Sequence, residues 1–437
     1  MKTTQRLRQS LTAGLFLAAL AAGTAFWLWG QFVPEDDYAG MTAVSKADML
    51  AESSASPAGG RAVPARLTAA QPAQAPTPEE LEELSSQADE TINGALDTSH
   101  LFIQLYGGIQ RLLGRRIMED VEAQYTVYKL SDGSLTFLTP EPADNFSERA
   151  EAYLRFQDAL EEKGIPLLYL QAPQKIGGEG APTLPPGVTD YGNENANEFL
   201  RQIAAGGAST LDLREVLAED GQPWTSYFFT TDHHWTPNAA LLCVQALVEY
   251  LNETYDLDLD PKWTSPDSYT ATVYEDIFLG SQGKRTGALY AGMDDLTVWT
   301  PKFETDLTYS VQNKLYEGSF EECLLFPERL EETDPFQANP YTVYSGGDYS
   351  FSRITNHSNP DGPRIMILRD SYACVFTPFL AMQCSDLSIV DLRYFYDYFP
   401  TYVDWVQPDL VLMMYTPGNL SNEMAFDFFS ELDHESE

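Results

Sequence analysis

The chain has 437 residues, with 26 Lys and Arg against 65 Asp and Glu, for a formal net charge of −39. Apolar residues make up 43%, including 23 Phe, 24 Tyr and 7 Trp, which is enough for a packed core and excludes disorder over the whole length. So acidic a chain is repelled by nucleic-acid backbones and anionic lipid surfaces, and suits neutral or cationic ligands.

Lys2, Arg6 and Arg8 precede an uncharged stretch at 11–30, LTAGLFLAALAAGTAFWLWG. As a helix, about 20 such residues span about 30 Å, the thickness of a bilayer core. Trp27 and Trp29 fall where an interfacial aromatic belt places them, and Glu35, Asp36 and Asp37 follow at once. Residues 1–33 are therefore expected to form a basic flank and an N-terminal transmembrane helix, a single-pass signal anchor in the cell membrane. Small residues at 21–25 leave cleavage as a signal peptide open. In both cases the body of the chain is expected outside the cytoplasm. Residues 34–97 are rich in Ala, Pro and Ser, bury too little to fold, and read as a linker.

The folded part is expected at 98–437. The segment AQYTVYKLSDGSLTFL reads as a hairpin around Asp132-Gly133. Ser147 can cap the helix ERAEAYLRFQDALEEKG, which leads into an apolar strand, IPLLYLQAP. A helix at NENANEFLRQIAA and a short strand and turn at STLDLREVL follow. TSYFFTTDHHWT is an extended stretch, and Pro237 opens a strong helix. Residues 258–345 have weak periodicity and read as an insertion lying over a sheet. PRIMILRDSYACVFTPFLAMQ reads as strand, tight turn and helix, and LSIVDLRYF and PDLVLMMYTPGNL supply two more strands. This alternation predicts an α/β fold, a mainly parallel sheet with helices on both faces. Ligands then bind beyond the carboxyl ends of the strands, where Lys175, Asp232 to Trp235, Asp370-Ser371, Arg393 and Tyr415 to Asn419 fall.

Ser371 follows the strand IMIL at a strand-to-helix turn, near backbone N–H groups that can stabilise an oxyanion. A Ser that merely caps the helix has the same signature. A serine nucleophile needs a base and an acid that orients it. Of five histidines, His100 lies at the linker junction, His434 at the C-terminus and His357 in a polar loop. His233 and His234 remain. In an extended stretch Asp232 and His234 share a face, so Asp232 can hold Nδ1 of His234, with His233 pointing away. A metal held by Asp232, His233 and His234 is the rival; no second cluster supplies its further ligands, so no metal is expected. The four cysteines, Cys243, Cys323, Cys374 and Cys384, form no CxxC pair and leave three pairings open.

TTDHHWT together with RDSY resembles the DHHW-motif family, related to the alginate O-acetyltransferase-like proteins with a permuted SGNH-hydrolase domain. YGGIQRLLG, KLSDGSL, QAPQK and DLRYF fit the same resemblance, which covers nearly all of 98–437. It implies a Ser-His-Asp triad of Ser371, His234 and Asp232, with Arg369 standing where the family has glycine. It further implies extracytoplasmic O-acetylation of a polysaccharide without a cofactor, the acetyl group coming from a membrane-bound O-acyltransferase. A carbohydrate acetylesterase, or a non-catalytic polysaccharide-binding or assembly protein, is the alternative. Arg393, Tyr415, Asn419, Lys175 and Trp235 are the candidates for oxyanion or substrate contacts. Aromatic residues in 258–345 are expected either to stack on sugar or to form core.

Overall fold

The computed structural model describes residues 99–119, 125–143, 146–395 and 397–429. The anchor and linker expected over 1–97 lie outside the described residues. Among the described residues no helix is long and apolar enough to cross a membrane.

The chain begins with α1 (Ser99–Leu112) and a small antiparallel sheet of β1 (Ile117–Glu119), β2 (Thr126–Lys129) and β3 (Leu135–Thr136). There follow α2 (Phe146–Glu161), β4 (Leu167–Gln171), α3 (Gly192–Ala205), β5 (Ser209–Asp212), α4 (Leu213–Glu219) and α5 (Pro237–Tyr255). An antiparallel pair, β6 (Tyr269–Phe278) and β7 (Asp294–Pro301), brackets the short helices α6 (Ser281–Thr286) and α7 (Ala288–Ala291). Then come β8 (Leu307–Val311), β9 (Lys314–Gly318), α8 (Phe320–Leu324), β10 (Phe351–Asn356), β11 (Arg364–Arg369) and α9 (Thr377–Leu380). The last elements are β12 (Asp386–Val390), α10 (Phe399–Val406) and β13 (Leu410–Tyr415).

The main sheet has eight strands in the order β5-β4-β13-β11-β12-β10-β8-β9. Its first five strands are parallel; β4, β12 and β13 are buried along their whole length, and β11 is buried from Ile365 to Arg369. That burial requires the continuous apolar runs seen in the sequence, because helices cover both faces. Ile365, Ile367, Leu410, Leu412 and Met414 point into one core with α5 and α9. Their alternates Met366, Leu368, Val411 and Met413 point into a second core with α2, α3 and α10.

The sheet departs from the mainly parallel expectation at its other edge. There β10 runs antiparallel to β12, and β8 and β9 complete an antiparallel meander. Part of 258–345 therefore joins the sheet instead of lying over it. The reason is visible in β8, where Leu307, Tyr309 and Val311 are buried and Thr308 and Ser310 are not, the two-residue period of a strand with one wet face. The pair β6–β7 does cover the sheet, with Leu296 and Val298 entering the α5-side core.

Smaller departures follow from local geometry. The hairpin turn forms at Asp132-Gly133, where Gly133 has φ +99° and the Asp132 carboxylate accepts from the Ser134 N–H. Helix α2 already begins at Phe146, so Ser147 lies inside its first turn and is not the cap. After β11 the expected tight turn is a four-residue 3₁₀ segment, Ser371–Cys374, and the expected helix is the short α9. All four cysteines are free and buried.

The central strand carries much of this stability. Ile367 is fully buried in β11 between β12 and β13, so Ile367→Ala should cost about 2–5 kcal/mol in urea denaturation. Leu315→Ala, at a position 61% exposed, should stay within about 0.5 kcal/mol of the parent.

Candidate active site

The parallel register brings the carboxyl ends of the strands together, pairing Arg369 with Met414, Leu368 with Val390, and Tyr415 with Gln171. Ser371 lies two residues past β11, at this edge, and opens the 3₁₀ turn. Asp370 caps the turn: its Oδ1 accepts from the Tyr372 N–H at 3.1 Å, and its Oδ2 from Thr416 N–H and Oγ1, both at 2.8 Å. The turns after β11 and β13 are thereby tied to one buried carboxylate. As first residue of a helical turn, Ser371 has an N–H without an intrahelical acceptor. Among the described residues no other acceptor meets it.

The loop 228–236 supplies the partners of Ser371. His234 Nε2 is 2.8 Å from Ser371 Oγ, and His234 Nδ1 is 2.5 Å from Asp232 Oδ1. The same Oδ1 accepts the His234 backbone N–H at 2.9 Å. Oδ2 accepts the Ser281 N–H at 2.6 Å. Burial works against the Asp232 charge, but the two imidazoles and the Ser281 N–H outweigh it and hold the carboxyl well below the usual carboxylate range. A proton on Nδ1, donated to Asp232, leaves the Nε2 lone pair facing the Ser371 hydroxyl.

The insertion holds this loop in place. Asp294 of β7 accepts from Thr230 N–H and Thr231 N–H at 2.7 Å each, and from Thr231 Oγ1 at 2.6 Å. The Gly280 N–H donates to Thr231 Oγ1 at 2.9 Å. A Cβ on Gly280 would lie 2.2 Å from that of Asp232, so only glycine admits the carboxylate here. Tyr341 stacks on His234, with ring centroids 4.2 Å apart, and its hydroxyl donates to the Tyr372 carbonyl at 3.3 Å. Asp294, Gly280, Ser281 and Tyr341 were not singled out in the sequence, where they sit in a segment of weak periodicity.

His233 does not point away from His234. The two ring centroids are 3.9 Å apart, and His233 Nδ1 lies 3.1 Å from Ser281 Oγ. The loop is a turn closed by Asp232 on the His234 N–H, so the side-chain alternation of an extended strand does not apply. Ligand atoms of Asp232, His233 and His234 lie within 4.8 Å of one another. A metal ion there would have to displace the hydrogen bonds that His234 makes to Asp232 and Ser371.

The other expected residues are placed differently. Lys175 is buried under the loop and donates to the carbonyls of Leu135 and Asp232 at 2.5 Å each and of Thr230 at 3.4 Å. It holds the loop backbone and does not face a substrate. Trp235 is core: fully buried, it stacks near Phe376 and donates to the Tyr372 carbonyl at 2.9 Å. Tyr415 is also fully buried, its hydroxyl donating to the Ala425 carbonyl at 3.0 Å. Arg393 forks onto Asp391, at 2.9 Å from Nε and 2.6 Å from Nη2, and among the described residues makes no hydrogen bond to Ser371. Arg369 is buried and turns away from Ser371 to pair with the more exposed Asp348. Asn419 lies in the turn after β13, its Nδ2 buried without a partner among the described residues.

Comparison with known proteins agrees with this architecture. Residues 134–270 match the family described as SGNH hydrolase-like domain, acetyltransferase AlgX. The matched span holds Asp232 and His234, and Ser371 lies beyond it. Among solved structures, Bacillus cereus PatB1 with a sulfonyl adduct is 22% identical, with TM-score 0.58 over 70% of this chain and 98% of that one. A DHHW family protein from Eubacterium siraeum DSM 15702 is 19% identical, with TM-score 0.51 over 71% and 97%. These likenesses show the shared fold. No curated protein sequence is significantly similar to the chain.

Burial pushes the Lys175 ammonium down to about 8 from the usual 10.5, against the pull of Asp294 and Asp232. Between those two values the unfolded chain holds a proton that the folded chain has released, so stability rises with pH. Urea denaturation from pH 7 to 10.5 should show wild type gaining on Lys175→Met across that window. A pH-independent difference would count against the buried, partly deprotonating lysine.

Proposed function

We propose that the protein is an extracytoplasmic O-acetyltransferase that acts on a polysaccharide through a triad of Ser371, His234 and Asp232. The observation that carries this reading is the unbroken hydrogen-bond chain from Asp232 through His234 to Ser371. The family match over 134–270 and the resemblance of the DHHW tetrad support acetyl transfer as the chemistry.

His234 Nε2 takes the hydroxyl proton as Ser371 Oγ attacks the acetyl carbonyl carbon. Asp232 holds the ring in the required tautomer and stabilises the imidazolium that forms. The carbonyl π electrons move onto oxygen, where the Ser371 N–H donates to them. The second donor is Asn419: the hydroxyl of Tyr415 and the fork of Arg393 are already engaged, and the turn bearing Asn419 is tied to Asp370 through Thr416. Collapse returns the proton to the leaving group and leaves an acetyl ester on Ser371. His234 then deprotonates a sugar hydroxyl, which attacks the ester and regenerates the serine. Water in that position makes the same site an esterase. The acetyl group comes from a membrane-bound O-acyltransferase, a role consistent with the apolar stretch and basic flank at the N-terminus.

Purified protein should release the chromophore from a small acetyl ester, and Ser371→Ala should lower that rate by at least about 10³-fold. Turnover that survives Ser371→Ala would refute the triad, and its absence in the parent protein would favour a binding or assembly role. Transfer to glycan hydroxyls, measured beside hydrolysis, separates transferase from esterase. Asn419→Ala should lower kcat by about 10²–10³-fold with KM little changed; an unaltered kcat would remove Asn419 from the oxyanion hole.

A further inference from the structure

Of the two readings of the insertion's aromatic residues, core accounts for many of them. Tyr269, Tyr290, Tyr341 and Tyr344 within it are at most 3% exposed, and its exposed large apolar residues are the aliphatic Val273, Leu289 and Leu315. Exposed rings gather elsewhere. Between β12 and β13, Tyr394 is 48%, Tyr398 38% and Trp405 60% exposed.

Trp405 lies in a groove of about 490 Å³ lined by Phe351, Thr401, Tyr402 and Trp405. The ring centroid of Phe351 is 5.4 Å from that of Tyr402 and 5.9 Å from that of Trp405. Tyr402 meets Trp405 edge-on at 88°. The Arg353 guanidinium sits 5.4 Å from the Trp405 ring centre, held by Asp386 at 2.7 Å, and the Tyr402 hydroxyl donates to Asp397 at 2.8 Å. The groove thus presents aromatic faces beside fixed polar groups.

This chemistry fits a pyranose, which has a flat C–H face to stack on a ring and a rim of hydroxyls to hydrogen-bond. A groove for an amphipathic peptide helix would be lined by aliphatic and methionine side chains. A net charge of −39 opposes a polyuronate chain. One wall of the groove, Phe351, reaches the catalytic edge. Phe351 pairs with Val390, the last residue of β12, and β12 is the parallel neighbour of the strand that leads to Ser371. Just beyond Val390, Arg393 lies 3.9 Å from Asp348, which pairs with Arg369 two residues before the serine.

We propose that this groove is a subsite for neutral pyranose units of the glycan acceptor, holding a polymer whose neighbouring residues reach Ser371. The proposal rests on the glycan-acetylating reading of the catalytic site and specifies which surface selects the acceptor.

The test is titration of the full chain with hexasaccharides of glucose, mannose, N-acetylglucosamine and a uronic acid, read by tryptophan fluorescence and calorimetry. At least one neutral hexasaccharide should bind, and more tightly than the polyuronate. Trp405→Leu should weaken that binding by about fivefold or more, while Trp405→Phe, which keeps an aromatic face, should retain most of it. Both variants should hydrolyse the small acetyl ester at the parent rate, because Trp405 lies outside the triad. Failure of every neutral hexasaccharide to bind, equal affinity in Trp405→Leu, or preference for the polyuronate overturns the proposal. So does a dimer of the parent that Trp405→Leu dissociates, since the groove would then be occupied by a second copy. Trp405-dependent glycan binding without ester turnover in the parent would leave the groove standing and reject the acyl-transfer reading.

Discussion

The site depends on keeping one carboxylate charged in the protein interior. An isolated buried carboxylate is costly and tends to take up a proton, which would end its use as an orienter of histidine. Asp232 avoids this because both oxygens accept hydrogen bonds, from the His234 ring and backbone on one side and Ser281 on the other. Each donor comes from a segment fixed by something else. Ser281 opens α6, whose neighbour Gly280 is anchored on Thr231, and Thr231 is anchored on Asp294. From beneath, Lys175 grips the Asp232 carbonyl and ties the loop to β3 through Leu135. Ser371 stands in the turn at the edge of the main sheet, whereas Asp232 and His234 belong to a loop that the insertion and the small sheet hold together.

This division explains which features could be read from the sequence. The runs IMIL, LLYLQ and LVLMMY announce buried parallel strands because a strand covered on both faces tolerates few polar residues. Asp232 and His234 stand out because adjacent histidines are conspicuous in a chain with only five. Asp294, Gly280, Ser281 and Tyr341 have no such signature. They are common residue types in irregular sequence, and tertiary approach alone gives them their roles. The same limit applies to β8 and β9, whose short alternation reads equally as surface hairpin or sheet edge. The orientation of His233 departs from strand alternation for a narrower reason: the loop is a turn, closed by Asp232 on the His234 N–H.

Arg369 shows how a buried cation next to the turn can be accommodated. Its guanidinium is 3% exposed, yet it is compensated by Asp348 and by Asp391 at 3.7 Å, and Asp391 also holds Arg393. These four charges link the segment before β10 and the turn after β12 to the residues before the nucleophile. Arg369 is thus the hub of an ionic cluster. Removing a single partner from such a cluster leaves an uncompensated buried charge, so the members are expected to be more sensitive to change than their distance from Ser371 suggests.

The separation of the reacting groups along the chain has a consequence for biogenesis. Asp232 and His234 are two residues apart and can meet while most of the chain is still unfolded, whereas His234 and Ser371 are 137 residues apart and meet only when the sheet has closed. A serine without its base is an ordinary alcohol at neutral pH. On the proposed reading, a partly folded chain therefore carries no activated nucleophile, and reactivity is switched on by the same event that completes the fold.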